Sequence, residues 1–351
     1  LPLPHLLNDI DGQLTAWLEE RRMQAFRQRQ VRRWLWGGRA RHWDEMSDLP
    51  QTLRRDLSTS FDLWTSEVAR HTTADDGTEK LLLNLQRGGQ IECVLLRDKV
   101  RRTLCISTQV GCGMGCVFCA SGLDGVERNL TTGEIVEQVL RLQQLLSPEE
   151  RLSHIVVMGM GEPLANLRGL LPALAEVSRA DGLGISHRRI TISTVGLPKG
   201  IRRLADLDLG YRLAISLHAP NDELREQIVP IHKRLRMSEL LEAADYYFEK
   251  SGRRLTFEYV LLADLNDRSE NAHQLVRLLA GRTALVNVIP YNPVVGLPYR
   301  TPAAAAQQAF RQILEQGGLA VRFRHRKGDK INAACGQLRR SQQGIVAVDL
   351  A

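Results

Sequence analysis

The sequence predicts an α/β protein: a partial (β/α)6 barrel of parallel strands, preceded by a small N-terminal helical domain. Three observations lead there. From residue 103 onward, short apolar runs such as Ile155-Val156-Val157-Met158 alternate with helical periodicity, the pattern of a parallel sheet with crossover helices. All five tryptophans, at 17, 34, 36, 43 and 64, lie in the first 64 residues, which sets the N-terminal part off as a module. The polar and glycine-rich stretches of the alternating region fall at the C-terminal ends of its strands, where a parallel barrel builds its site.

A chain of 351 residues with 43% hydrophobic content is long enough for one large core and an appendage. Its net charge of +7 favours a polyanionic partner such as nucleic acid. The opening residues, Leu1-Pro2-Leu3-Pro4-His5, have no basic segment leading into an apolar run, and no apolar stretch nears a membrane span. The expected location is cytoplasmic. In that setting the six cysteines point to metal or redox chemistry ahead of disulfides.

Taken in order, residues 14–36 read as helix, with Arg21, Arg22, Arg27, Arg29, Arg32 and Arg33 interleaved with Phe26, Trp34 and Trp36. Such a face either contacts phosphates and stacks on bases, or is simply an amphipathic helix with a tryptophan core and a wet basic side. A turn at 44–49 leads into a short helix ending near Ser60. Strands 81–85 and 91–96 follow, joined across Arg87-Gly88-Gly89 as a hairpin, with Glu92 and Cys93 pointing to opposite faces. The expected division is a helical accessory domain at 1–75, a hairpin linker at 76–97 and the barrel at 98–340. The barrel strands are read at 103–107, 155–158, 190–193, 213–217, 256–262 and 285–289. The helices are read near 133–146, 167–180, 199–207, 238–250, 269–280 and 302–316.

The first barrel strand runs into Cys112-Gly113-Met114-Gly115-Cys116-Val117-Phe118-Cys119, three cysteines at C-x3-C-x2-C. A structural zinc or an ordinary iron–sulfur site takes four protein ligands. Three thiolates on a four-iron cubane leave one iron open to a small molecule; the other reading is a zinc knuckle completed by Cys105, Cys335 or a histidine. Glycines at 111, 113 and 115 suit a loop wrapped closely on a cluster. The octet resembles the signature of the radical S-adenosylmethionine (SAM) enzymes, in which the open iron binds SAM.

Other strands end in polar residues: Gly161 and Glu162 after the second, Ser193 on the third, Ser216, Leu217 and His218 on the fourth, and Asn292 after the sixth. Gly161 and Glu162 suit the ammonium of SAM, and the serines, His218 and Asn292 offer hydrogen bonds to its carboxylate, ribose or adenine. After the last helix, Arg322, Arg324 and Arg326 alternate along a strand, a pattern that tracks a phosphate backbone. Cys335 follows among small residues and by itself reads as a small core hydrophobe.

Together the octet, Arg128-Asn129-Leu130-Thr131-Thr132, Met158-Gly159-Met160-Gly161-Glu162-Pro163, Ser193-Thr194-Val195-Gly196, Ile215-Ser216-Leu217-His218-Ala219 and Ala333-Ala334-Cys335-Gly336-Gln337-Leu338 resemble the RlmN and Cfr group of radical SAM RNA methyltransferases. That resemblance runs from about Phe26 to Arg339. It implies a 4Fe-4S cluster on Cys112, Cys116 and Cys119, and two SAM molecules per turnover. It further implies methylation of C2 of an adenosine in 23S rRNA and in tRNAs, or in Cfr members of C8 of the ribosomal adenosine. Cys335 then carries the methyl group, Cys105 resolves the protein–RNA adduct through a transient disulfide, Glu92 accepts a proton, and an external donor such as flavodoxin supplies electrons. Cys93 lies outside the pattern and is expected to be structural.

Overall fold

The computed structural model describes residues 2–231, 235–324, 328 and 331–338. Arg326 of the expected cationic strand lies outside these residues.

The basic N-terminal stretch folds as two helices, α1 (Ile10–Glu20) and α2 (Phe26–Trp36), and not as the single helix read over 14–36. The break is a left-handed turn: Arg22 has φ 52°, and the Met23 amide reaches back to the Leu18 carbonyl at 2.8 Å, closing α1 as a Schellman-type cap does. A third helix, α3 (Gln51–Ser60), buries Leu53 and Leu57 in the same core.

The next strand, β1 (Ser66–Thr73), was not legible, because its burial pattern is almost wholly exposed and gives no alternation to read. It pairs antiparallel with β2 (Glu79–Leu85), which pairs antiparallel with β3 (Gln90–Asp98), Leu82 opposite Glu92. The expected hairpin linker is thus the middle of an antiparallel flap. That flap joins the main sheet through β4 (Arg101–Cys105), and β1, assigned above to the helical domain, is its outer edge.

A short ladder of β5 (Gln109–Gly111) with β6 (Val126–Asn129) brackets the cysteine octet. Then come α4 (Thr132–Gln143), β7 (His154–Val157), α5 (Leu167–Ser178), β8 (Ile190–Thr194), α6 (Pro198–Asp206) and β9 (Arg212–Ser216). Two helices, α7 (Asp222–Ile228) and α8 (Met237–Ser251), precede β10 (Leu255–Leu261), followed by α9 (Ser269–Leu279), β11 (Ala284–Pro290), α10 (Ala304–Gln316) and β12 (Ala320–Phe323). Strands β4 and β7 to β11 are the six parallel strands of the expected partial barrel, and β12 extends it in parallel beside β11.

Arg128-Asn129-Leu130-Thr131-Thr132 is explained locally. Thr131 and Glu134 form a capping box at the start of α4, and Arg128 grips the Glu134 carboxylate at 2.9 and 2.7 Å. On the same helix Gly133 lies so close to the N-terminal segment that a Cβ there would stand 2.5 Å from the His5 ring and 2.9 Å from the Asn8 amide.

Candidate active site

The octet connects β5 to β6, with Gly111 and Gly115 at positive φ, a conformation that favours glycine. Backbone bonds fix it: Cys112 N–H to the Gly125 carbonyl at 2.9 Å, Val117 N–H to Ile228 at 3.1 Å and Ala120 N–H to Gly336 at 2.7 Å. Cys112, Cys116 and Cys119 line one open cleft with about 910 Å³ of empty space at the C-terminal ends of the strands. Burial pushes their thiols up, Cys112 to about 12.

Gly161, Glu162, Ser193, Ser216, His218 and Asn292 line the same cleft. Glu162 is buried, and burial raises its carboxyl. Its Oε1 accepts from the Leu164 amide at 2.9 Å and its Oε2 from the Val195 amide at 2.8 Å, so it stitches the end of β7 to that of β8. The Leu217 side chain is 1% exposed in the core and does not line the cleft. His218 sits at φ 60° with Nδ1 accepting from the Val260 amide at 3.1 Å. Burial, followed by the nearby Arg225 cation, lowers its pKa to about 3, so the ring is neutral and meets Phe118 of the octet edge-on at 4.7 Å.

Arg225, missed in the sequence, is fully buried below the octet on α7. Its guanidinium donates to the carbonyls of Val195 at 2.5 Å, Leu217 at 3.1 Å and Ser216 at 3.2 Å, tying the ends of β8 and β9 together. Burial lowers its pKa to about 10, where it is still a cation at neutral pH.

Cys335 is exposed and lines this cleft too, so it is not the core hydrophobe its neighbours suggest. Its segment is pinned from several sides. The Asn292 amide donates to the Cys335 carbonyl at 3.1 Å, Ser121 Oγ to Leu338 at 2.6 Å and Gln337 to the Pro293 carbonyl at 2.9 Å. Cys105, on β4, is buried nearby, and burial with the adjacent Cys335 pushes its thiol up to about 12. Arg322 on β12 and Arg324 just after it are both exposed, and Arg324 Nη1 lies 3.8 Å from Cys335 Sγ. Buried Glu258, held by Asn287 at 2.5 Å, is a further cleft residue that sequence reasoning missed. Glu92 does not line the cleft; it lies one strand beyond Cys105, ion-paired to Lys80 at 2.6 Å. Cys93 is fully buried, as expected of a structural residue.

The basic helix divides its residues between the two readings. Arg32 is buried against Asp11, Glu176 and Asp181, and Trp36 donates to Glu176 at 3.2 Å, so both dock the N-terminal module on α5. Arg22 and Arg29 remain exposed.

The cleft suits a cluster with SAM beside it. Three thiols come from one loop, and Asn292 leaves a buried Oδ1 with no partner among the described residues, an acceptor suited to an ammonium or hydroxyl.

Comparison with known proteins agrees with this geometry. Residues 106–276 match the radical SAM superfamily, and residues 5–63 match the ribosomal RNA large subunit methyltransferase N-terminal domain. The chain is 60% identical to a probable dual-specificity RNA methyltransferase RlmN of Rhodopirellula baltica, over 98% of this chain and 92% of that one. A similar RlmN 3 of Opitutus terrae is 45% identical over 96% of this chain and 94% of its own length. The crystal structure of a radical SAM methyltransferase from Sphaerobacter thermophilus superposes with a TM-score of 0.93 at 40% identity, covering 96% of this chain and 99% of that one.

Proposed function

The chain belongs to the RlmN-type radical SAM RNA methyltransferases, and from that premise we propose that it methylates C2 of a specific adenosine in 23S rRNA and in tRNAs, with Cys335 as methyl carrier. The family implies a 4Fe-4S cluster and SAM, and the zinc-knuckle alternative gives way to it. When bound, these groups supply a methyl donor and, from a second SAM in each turnover, a hydrogen-abstracting radical.

The chain's own residues do the rest. Cys112, Cys116 and Cys119 hold the cluster, and Gly161, Glu162, Ser193, Ser216, His218 and Asn292 shape the SAM site, Glu162 by stitching strand ends. Cys335 presents its sulfur to the cleft and receives the methyl group. Ring C2 of adenine is electron-poor and has no lone pair to offer, which is why a carrier on the protein is needed. Glu92 accepts the proton lost from the ring. Cys105, as its thiolate, then attacks the Cys335 sulfur, and the bond from that sulfur to the methylene carbon on the ring breaks. The carbon keeps the electron pair and takes a proton to become the methyl group, and a disulfide is left between the two cysteines. An external donor such as flavodoxin, in the cytoplasm, reduces the cluster. Among the described residues no helix is long and apolar enough to cross a membrane.

The observation that carries this reading is the single cleft shared by exposed Cys335 and the octet, with the second thiol of Cys105 behind it. The test is anaerobic purification followed by reaction with unmodified 23S rRNA and tRNA, then nucleoside mass spectrometry. The expected product is 2-methyladenosine in both RNAs; 8-methyladenosine in the ribosomal RNA would instead make this a Cfr-type enzyme.

A further inference from the structure

We propose that Lys80 is a positioning residue that orients Glu92 and holds it in register with the Cys335 segment. Lys80 lies outside the motifs quoted above for the resemblance, and the inference rests on the reading of Glu92 as proton acceptor.

Lys80 lies on β2 and Glu92 on β3. Leu82 faces Glu92 across the antiparallel ladder and Lys80 faces Val94, so Lys80 and Glu92 are diagonal neighbours on one face. Their side chains are 11% and 9% exposed, and Lys80 Nζ lies 2.6 Å from Glu92 Oε1. Desolvating two charges costs several kcal/mol each, and an apolar pair stabilises such a site equally well, so stability alone does not account for the pair. What a buried ion pair adds is direction. The same ammonium donates to the Asn332 carbonyl at 3.0 Å, three residues before Cys335. That segment is fixed independently, by Asn292 at the Cys335 carbonyl and by the Ala120 amide at Gly336. Its approach is also tied to the turn before β2, where the Gly328 amide donates to Asp76 at 3.0 Å. One cation therefore sets a carboxylate on the flap relative to the thiol-bearing segment.

The test is a double-mutant cycle on turnover of the cluster-loaded enzyme, with Lys80→Met, Glu92→Gln and both together. Glu92→Gln is expected to slow product formation at least about 100-fold, the usual scale for a lost general base. Lys80→Met is expected to slow it at least about tenfold, and Lys80→Arg to stay within about threefold of the unaltered enzyme. If Lys80 acts through Glu92, the double variant matches Glu92→Gln within about twofold, because the second change has nothing left to disturb. Methyl occupancy of Cys335, read by peptide mass spectrometry, should be unchanged in Lys80→Met.

Multiplying effects in the double variant, or lost Cys335 methylation in Lys80→Met, would overturn the proposal in favour of a merely structural lysine. Wild-type turnover in Glu92→Gln overturns the assignment of Glu92 itself, and the proposal with it. A slow Glu92→Gln beside a normal Lys80→Met overturns the Lys80 inference alone. Should Lys80→Met not fold, the double variant leaves no lone buried charge, and its comparison with Glu92→Gln carries the same test.

Discussion

Helix α2 and the Cys335 segment exchange roles between sequence and structure. The helix has the composition of a nucleic-acid surface, yet Arg32, Trp34 and Trp36 spend their polar groups inside the protein, on Asp11, Glu176 and Asp181, on Asp48 and on Glu176 respectively. The Cys335 segment has the composition of filler, yet its backbone is held by Asn292, Ala120, Ser121 and Lys80 while Cys335 itself faces the cleft. Residue type states what a side chain can do. Its partners decide whether that capacity is already used.

The largest effect available for sharpening this contrast comes from the two thiols. Cys335→Ala should form neither methylated RNA nor a covalent RNA complex. Cys105→Ala should methylate Cys335, attack the ring and stall, giving a nuclease-sensitive shift on a denaturing gel. Normal turnover by Cys335→Ala would return the segment to the filler its composition suggests, and normal turnover by Cys105→Ala would take the resolving role from Cys105.

The next largest tests the helix. Arg32→Ala removes a buried cation from Asp11, Glu176 and Asp181, which are partly exposed and keep Arg179, so the cost falls below the roughly 3–5 kcal/mol of a fully buried pair. A clear drop in the urea midpoint is expected, with RNA affinity of the folded fraction unchanged. A loss of affinity without a loss of stability would make α2 the RNA surface it resembles.

A smaller effect should follow from loosening the pins. Ser121→Ala removes a donor to the Leu338 carbonyl, worth about 1 kcal/mol. Local opening of the segment should become several-fold more frequent, measured as faster hydrogen exchange of the Gln337 amide, which donates to the Ala334 carbonyl at 3.0 Å. An unchanged rate would show that this bond does not hold the segment.

The smallest effect concerns the arginines that each region leaves exposed. Arg29→Gln on α2 and Arg322→Gln on β12 should each flatten the slope of log affinity against log salt by up to about 1, if each meets one phosphate. A change for only one of them says which region the RNA crosses.

The alternation of strands and helices, the six parallel strands, and the octet with Gly111 before it and Gly115 within it are legible along the chain. These are local properties: periodicity, turn chemistry and ligand spacing act among residues near one another in the chain. The sequence also placed Glu162, Ser193, Ser216, His218 and Asn292 at strand ends, which a parallel barrel brings to one face. The rest was set by contacts between segments far apart in the chain. β1 carries no burial pattern because it is an exposed edge, and the break at Arg22 needed a left-handed arginine that propensity disfavours. Arg32, Lys80 and Arg225 all read as surface charge, and each turns inward to a partner supplied by a distant segment. The desolvation of a charge and the group that compensates it are settled when those segments meet, so no window of neighbouring residues contains them.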